Sequence, residues 1–205
     1  MGFRRLIVAG AVLIAASLAL VVLRGGWLAA RSPLPILGQV QDFAVTNQIG
    51  ERVTAESLRG HPWAANLIFT RCPGPCPQLT GVLRRVQDGL PTDSAIRLVS
   101  LTSDPEFDTP AVLSAYARRF GADPRRWQFV TGTREQIRRL AVDRLLLVLK
   151  DKTEEQRESA DDLFLHSTLI VVVDGYGRLR TAVEGVAPGA ADQVLEALRR
   201  IEREG

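Results

Sequence analysis

The chain has 205 residues, 46% of them hydrophobic and 24% charged, an ordinary globular composition with room for one domain and a sizeable core. Its pI near 9.3 raises the question of nucleic acid. Arg4, Arg5 and Arg24 stand in the first 30 residues with no acid among them, and removing those three from the 26 basic residues leaves 23 against 23 acidic. A neutral body argues against a nucleic-acid partner, and pairs such as Arg84-Arg85 and Arg138-Arg139 read better as solvated helix faces and ends than as a phosphate-binding stripe.

In chain order the first feature is apolar. Leu6 to Leu23 carries no charge and is nearly all Leu, Ile, Val and Ala. At about 1.5 Å per residue such a helix spans most of a ~30 Å hydrocarbon core, with Trp27 at the far interface. Arg4 and Arg5 hold residues 1–5 on the cytoplasmic side. The pattern therefore predicts a single-pass anchor, 6–23, in the inner (cytoplasmic) membrane, with the body on the periplasmic or other extracytoplasmic side. Ala29-Ala30 offers the alternative of a cleaved signal peptide, but the length of the run and Leu28 favour an uncleaved anchor. Residues 24–38, with Pro33, Pro35 and Gly38, form a stalk, and 39–205 a single domain. In such a compartment a cysteine pair exists as a disulfide unless something keeps it reduced.

Within the body, Val40 to Val45 is a predicted strand, Asn47 to Gly50 a turn, and Arg52-Val53-Thr54 its hairpin partner. Ala64 to Phe69 is a buried strand that enters Cys72-Pro73-Gly74-Pro75-Cys76-Pro77, and Leu79, Leu83, Val86 and Leu90 give the helical period that leaves it. Ile96 to Leu101 is a second buried strand. Thr109-Pro110 opens a helix that Gly121 stops. Trp127 to Val130 is a third strand, Thr133 with Gln136 a capping box for a helix to about Ala141, and Arg144 to Lys150 a short strand or helix extension. Glu154 to Asp162 is a charged surface loop. Thr168 to Val173 and Leu179 to Val183 form a hairpin around Asp174-Gly175-Tyr176-Gly177, and Ala187 to Glu204 is a final amphipathic helix. This order is that of an α/β, thioredoxin-like fold, a central mixed sheet flanked by helices, with an extra N-terminal β-hairpin.

Cys72 and Cys76 are the only cysteines. Prolines 73, 75 and 77 fix their own φ and extend the residues before them, so the bridge between the sulfurs is a stiff turn. Two unrelated core cysteines would not be joined by such poor packing material. Both thiols are expected near a helix N-terminus, where N–H groups and the dipole favour thiolate. Thioredoxins place a cis-proline just before the hairpin, whereas this chain has no proline between Pro124 and Pro188. Leu165-His166-Ser167-Thr168 stands in that place, so the imidazole of His166 is expected to point at the same sulfurs. Two thiolates and one imidazole are soft to borderline donors. Structural zinc wants four ligands and catalytic zinc three plus water, while copper in its cuprous state is comfortable with three, and thiolate favours it. His61, at a turn at the far end of the cysteine-bearing strand, reads as structural or exposed. Asp104, at the end of the second buried strand, is a candidate for tuning the thiols or steadying that face from beside the ligands, against the plainer role of capping a helix start.

Taken together, Phe69-Thr70-Arg71-Cys72-Pro73-Gly74-Pro75-Cys76-Pro77, Ser103-Asp104-Pro105-Glu106-Phe107-Asp108-Thr109-Pro110, Tyr116 with Phe120-Gly121, Trp127 with Thr131-Gly132-Thr133, and His166-Ser167 with Asp174 and Gly177 resemble the SCO/SenC family. The likeness covers roughly residues 38–203. It implies a membrane-tethered protein that binds copper (Cu+ or Cu2+) through Cys72, Cys76 and His166. Its implied role is to deliver copper, or electrons, to the binuclear site in the copper-bearing subunit of cytochrome c oxidase, with other copper carriers as further partners. Such a metallochaperone is not a turnover enzyme. The alternative use of Cys72 and Cys76 is as the redox-active pair of a thiol–disulfide reductase that keeps a partner's copper-ligand cysteines reduced. Family members usually carry an acid where this chain has Gly74 and Arg where it has Phe107, which bears on affinity and partner choice.

Overall fold

The computed structural model describes residues 33–159 and 161–204. The expected anchor, 6–23, residues 1–5 and the stalk before Pro33 lie outside the described residues, among which no helix is long and apolar enough to cross a membrane.

Along the chain stand β1 (Gly38–Gln39), β2 (Ala44–Asn47), β3 (Arg52–Thr54), β4 (Trp63–Ile68), α1 (Cys76–Gly89), β5 (Arg97–Thr102), α2 (Pro110–Arg119) and β6 (Trp127–Thr131). They are followed by α3 (Arg134–Arg138), β7 (Leu149–Asp151), β8 (Phe164–His166), β9 (Leu169–Val173), β10 (Arg178–Glu184) and α4 (Ala190–Glu204). Eight strands form one sheet in the order β1-β10-β9-β4-β5-β6-β2-β3, and β7 and β8 pair separately.

The centre of the sheet explains itself from sequence. All six residues of β4 are buried, as a continuous short-chain run requires when helices cover one face and loops and a helix the other. Ala64 and Ile68 face a core shared with Leu79, Leu83, Tyr116, Val194 and Leu198 from α1, α2 and α4. Trp63, Ala65 and Leu67 face a second core with Val45, Val53, Ile137 and Leu140. Each Leu or Ile sealed in these layers adds about 1.5–3 kcal/mol. β5 and β6 run parallel to β4 and its neighbour in turn, and β9 runs antiparallel to β4 from Trp63↔Val173 to Ala65↔Val171. That register puts the residues before β9 beside the cysteine end of β4, as expected for His166.

One expectation needs correction, one holds in part and one pairing is new. Val40–Val45 is not one strand: Gly38 and Gln39 pair with β10 and the chain then crosses to β2, which begins only at Ala44. The segment after α3 widens into a π turn, Arg139–Arg144, before β7, so both readings of 144–150 hold in part. The β7–β8 pair was unforeseen, because Phe164-Leu165-His166 is too short to show a period in sequence. The helix starts behaved as read: Thr109 caps α2 by accepting from Val112, and Thr133 with Gln136 forms the reciprocal capping box of α3.

Candidate metal centre

At the C-terminal end of β4 the chain turns back on itself, with the Cys72 N–H donating to Phe69 O at 3.2 Å. Around the bridge, Pro73, Pro75 and Pro77 have no N–H, which leaves only the N–H groups of Gly74 and Cys76, and both help to lower the Cys72 thiol. Helix α1 starts at Cys76 without a side-chain cap, so part of the anion-attracting capacity of its N-terminus is directed at one sulfur. Cys72 is half-buried; Cys76 is fully buried among Phe69, Leu79 and Ile170.

The two thiols are therefore unlike, contrary to the expectation that both favour thiolate. The hydrogen bond from Cys76 leads the causes that hold Cys72 at about 4, from an ordinary 9.0, against the opposing pull of burial and with help from His166 and the two backbone N–H groups. Burial, then the hydrogen bond and charge of Cys72, push Cys76 well above the ordinary thiol range. The two thiols titrate as a pair, with burial and the neighbouring sulfur favouring the neutral form at Cys76 and hydrogen bonding favouring the charged form at Cys72.

His166 arrives from β8. Its Nε2 lies 3.3 Å from Cys76 Sγ, and its Nδ1 lies 3.1 Å from Ser167 O. A carbonyl only accepts, so Nδ1 carries the ring hydrogen and the Nε2 lone pair faces the sulfurs. The ring also stands edge-on to Phe69, centroids 5.7 Å apart, and Phe164 packs edge-on against the same Phe69 at 5.3 Å. The ligand atoms of Cys72, Cys76 and His166 all lie within 4.8 Å of one another, the one such metal-competent group among the described residues. No cis peptide occurs there. A cleft of about 560 Å³, lined by Cys72, Gly74, Pro75, Lys152, Asp162 and His166, opens on it. A second cleft of about 530 Å³ lies at the opposite end of the sheet near Arg59, Tyr176 and Arg180. It has no cysteine or histidine in its wall, and we place the chemistry at the first.

Asp104 is nearly buried but does not reach the sulfurs; it accepts from Arg71 Nη2 at 2.7 Å. The residue that sequence reasoning missed is Asp108. It is fully buried, accepts from the backbone N–H of Thr70 at 3.1 Å and from the hydroxyls of Thr70 and Thr102, and is displaced upward by burial. Four residues after Asp104 in a helix-start motif, it gave no sign in sequence of facing inward. His61 is bonded through Nδ1 to Ala95 O at 2.8 Å at the far end of β4, a structural role as expected.

A thioredoxin-like sheet carrying two thiols and an imidazole at one strand end defines a class of proteins whose chemistry is thiolate metal binding or thiol exchange. The SCO1/SenC family model matches residues 37–202, and the chain belongs to that family. It is 27% identical over 167 residues to the SCO1 protein homolog of Bacillus subtilis strain 168, covering 80% of this chain and 83% of that protein. A Stutzerimonas stutzeri relative, provisionally named a copper-binding protein, is 29% identical over 170 residues, 82% of this chain and 79% of its own. The solved structure of BsSco, described as a member of the Sco family of cytochrome c oxidase assembly proteins with a disulfide switch, superposes with a TM-score of 0.70 at 26% identity. It covers 83% of this chain and 98% of that one.

Proposed function

We propose that this protein is a membrane-tethered copper metallochaperone. Cys72, Cys76 and His166 hold one copper ion, as Cu+ or Cu2+, and pass it by ligand exchange to the copper-bearing subunit of a cytochrome c oxidase, or take it from other copper carriers. The observation that carries this reading is the convergence of three soft or borderline donors within 4.8 Å, with the imidazole lone pair already turned inward. Three donors of this softness fit copper better than a closed structural zinc site, which would need a fourth. The name of the Stutzerimonas relative supports copper, and the likeness to BsSco, an oxidase assembly protein by its description, supports that destination. The apolar run 6–23 supports a cytoplasmic-membrane anchor with the body on the extracytoplasmic side, where the acceptor's copper site would be within reach.

Anaerobic titration of the reduced, full-length protein is expected to show uptake of about one copper. His166→Ala should weaken binding by more than the roughly 10–100-fold that loss of a supporting contact costs. The cupric form of the wild type should show a thiolate-to-copper charge-transfer band that disappears with replacement of Cys72, Cys76 or His166. Unchanged affinity in His166→Ala rejects the three-donor site.

A second reading rests on the unlikeness of the thiols. Cys72, half-exposed and held as thiolate, can attack one sulfur of a partner's disulfide and expel the other as thiolate. Cys76, losing its proton, then attacks Cys72 and releases the partner's second sulfur. The pair ends as a disulfide, having given up two electrons, which an external dithiol reductant must return. That activity would turn over with no metal present, and His166→Ala would impair it far less than Cys72→Ser.

A further inference from the structure

We infer that Arg71 is a positioning residue for the copper centre, fastening the loop that carries His166 to the turn that carries the cysteines. The inference rests on the three-donor reading above. Arg71 directly precedes Cys72, and its guanidinium meets three partners from two other parts of the chain. Nη2 donates to Asp104 Oδ2 at 2.7 Å, the group lies 4.0 Å over the ring of Phe107, and Nη1 stands 3.6 Å from Asp161 Oδ1. Asp104 and Phe107 belong to the turn between β5 and α2. Asp161 belongs to the charged loop, five positions before His166.

The two ends of this bridge differ in strength for a physical reason. The Asp104 side chain is only 7% exposed, and its turn is held by the Asp108 N–H donating to Asp104 O and by Thr102 Oγ1 accepting from the Asp104 N–H. A short pair with its carboxylate buried and its guanidinium about a third exposed is screened less than a fully exposed one, and the aromatic face beneath holds the guanidinium flat. Asp161 is 53% exposed and its pair is long, so water and salt screen it and it contributes little more than other exposed ion pairs. Arg71 is thus a fixed arm with a releasable grip on the His166 loop. Loss of the grip leaves the ring its contacts with Cys76 Sγ and Phe69 and the pairing of β8 with β7, and leaves the loop the Lys152–Asp162 pair at 2.6 Å, so the site loosens without coming apart. A copper carrier needs a third ligand close enough to capture the ion and loose enough to surrender it. A weak, screened pair beside the donor set supplies that balance. Lysine could not replace Arg71, because a point charge on a flexible stem does not fork between two carboxylates.

The test uses the full-length, reduced, metal-free protein, with the rate at which diethyl pyrocarbonate modifies His166, read by peptide mapping, and with hydrogen exchange of residues 161–166. Asp161→Asn cuts only the weak end. It is expected to raise both rates about twofold to fivefold, the factor an exposed ion pair is worth. Amides of β4 and β5 should be unmoved. Arg71→Lys should match Asp161→Asn, the double variant should add nothing further, and 1 M salt should bring the wild type to the level of the variants while leaving them unchanged. Copper affinity of Asp161→Asn should fall by a similar factor. Unaltered His166 modification and loop exchange in both variants would overturn the role of Arg71, whatever the copper result. A wild-type chain that takes up no copper would instead overturn the metal reading, and the metal-free loop measurements would still decide whether Arg71 holds the loop.

Discussion

At the residue scale the decisive feature is the unequal pair of thiols. A common helix N-terminus suggested the same fate for both, but depth separates them: the sulfur lowered by Cys76, His166 and the nearby N–H groups is the one beside the cleft, and burial pushes the sulfur behind it up. Alkylation of Cys72 by iodoacetamide should therefore hold a nearly constant rate from pH 8 down to about pH 5 and decline only near 4. An ordinary thiol loses about tenfold per unit below 8.5. In Cys76→Ala the profile should move toward that of an ordinary thiol, since the leading hydrogen bond is gone. The same asymmetry sets the sign of the pH effect on stability. Cys72, depressed on folding, adds stability that is complete above the unfolded thiol value and is lost as pH falls through about 4. Cys76, raised on folding, withdraws stability once pH exceeds the unfolded value. Asp104 accepts from Arg71, the residue next to Cys72, and does not meet the sulfurs itself, while Phe107 gives that guanidinium a ring to lie on.

At the element scale the position of His166 depends on the small β7–β8 pair and on the end of β10. Leu149 pairs with His166, and the Ser167 N–H donates to Val148 O at 2.9 Å, so the ring's direction follows from strand pairing. Behind it, the Gly185 N–H donates to Thr168 O at 3.0 Å. A Cβ on Gly185 would stand 2.7 Å from Thr168 O, 3.1 Å from Ile170 Cγ1 and in overlap with Leu79 Cδ2. The side-chain carbons can shift; a carbonyl held by the Gly185 N–H itself cannot. Gly185→Ala should cost about 1–3 kcal/mol, seen as a lower denaturant midpoint with unchanged slope. It should also weaken copper binding, because Thr168 is two residues from the imidazole.

At the scale of the whole molecule the metal end and the chain's entry are opposite. Leu34 and Pro35 are tied down by Arg180, whose guanidinium also pairs with Asp174 at 2.9 Å and Glu204 at 2.6 Å. The Leu34 N–H donates to Glu204 Oε1 at 3.1 Å. These groups sit by the turn from β9 to β10 and the end of α4, about eight strand residues from His166, or about 25 Å at ~3.3 Å per residue. The Arg180 side chain is only 4% exposed. Arg180→Ala leaves Glu204 with the Leu34 N–H and Arg200 and Asp174 with Arg178, while the Leu34 and Pro35 carbonyls lose their donor, so it should cost about 1–3 kcal/mol by urea or thermal unfolding. Copper affinity and Cys72 reactivity should stay at wild-type values in that variant. A parallel loss of both would mean that the two ends are coupled through the sheet.

Sequence alone determined the parts governed by local rules. The apolar run of β4, the capped starts of α2 and α3, the stiff Pro-Gly-Pro bridge and the turn at Asp174–Gly177 each depend on neighbours within a few positions, and each was legible. The missing proline before β9 also made His166 legible, because a known fold order puts that position beside the cysteine strand. What only the tertiary structure decided is everything set by burial and by pairs far apart in the chain. Which sulfur is deep, why the two thiols are pushed in opposite directions, why Asp108 turns inward and how Arg71 meets two distant loops are consequences of dielectric and proximity. Neither quantity has a period or a spacing that a linear sequence can display.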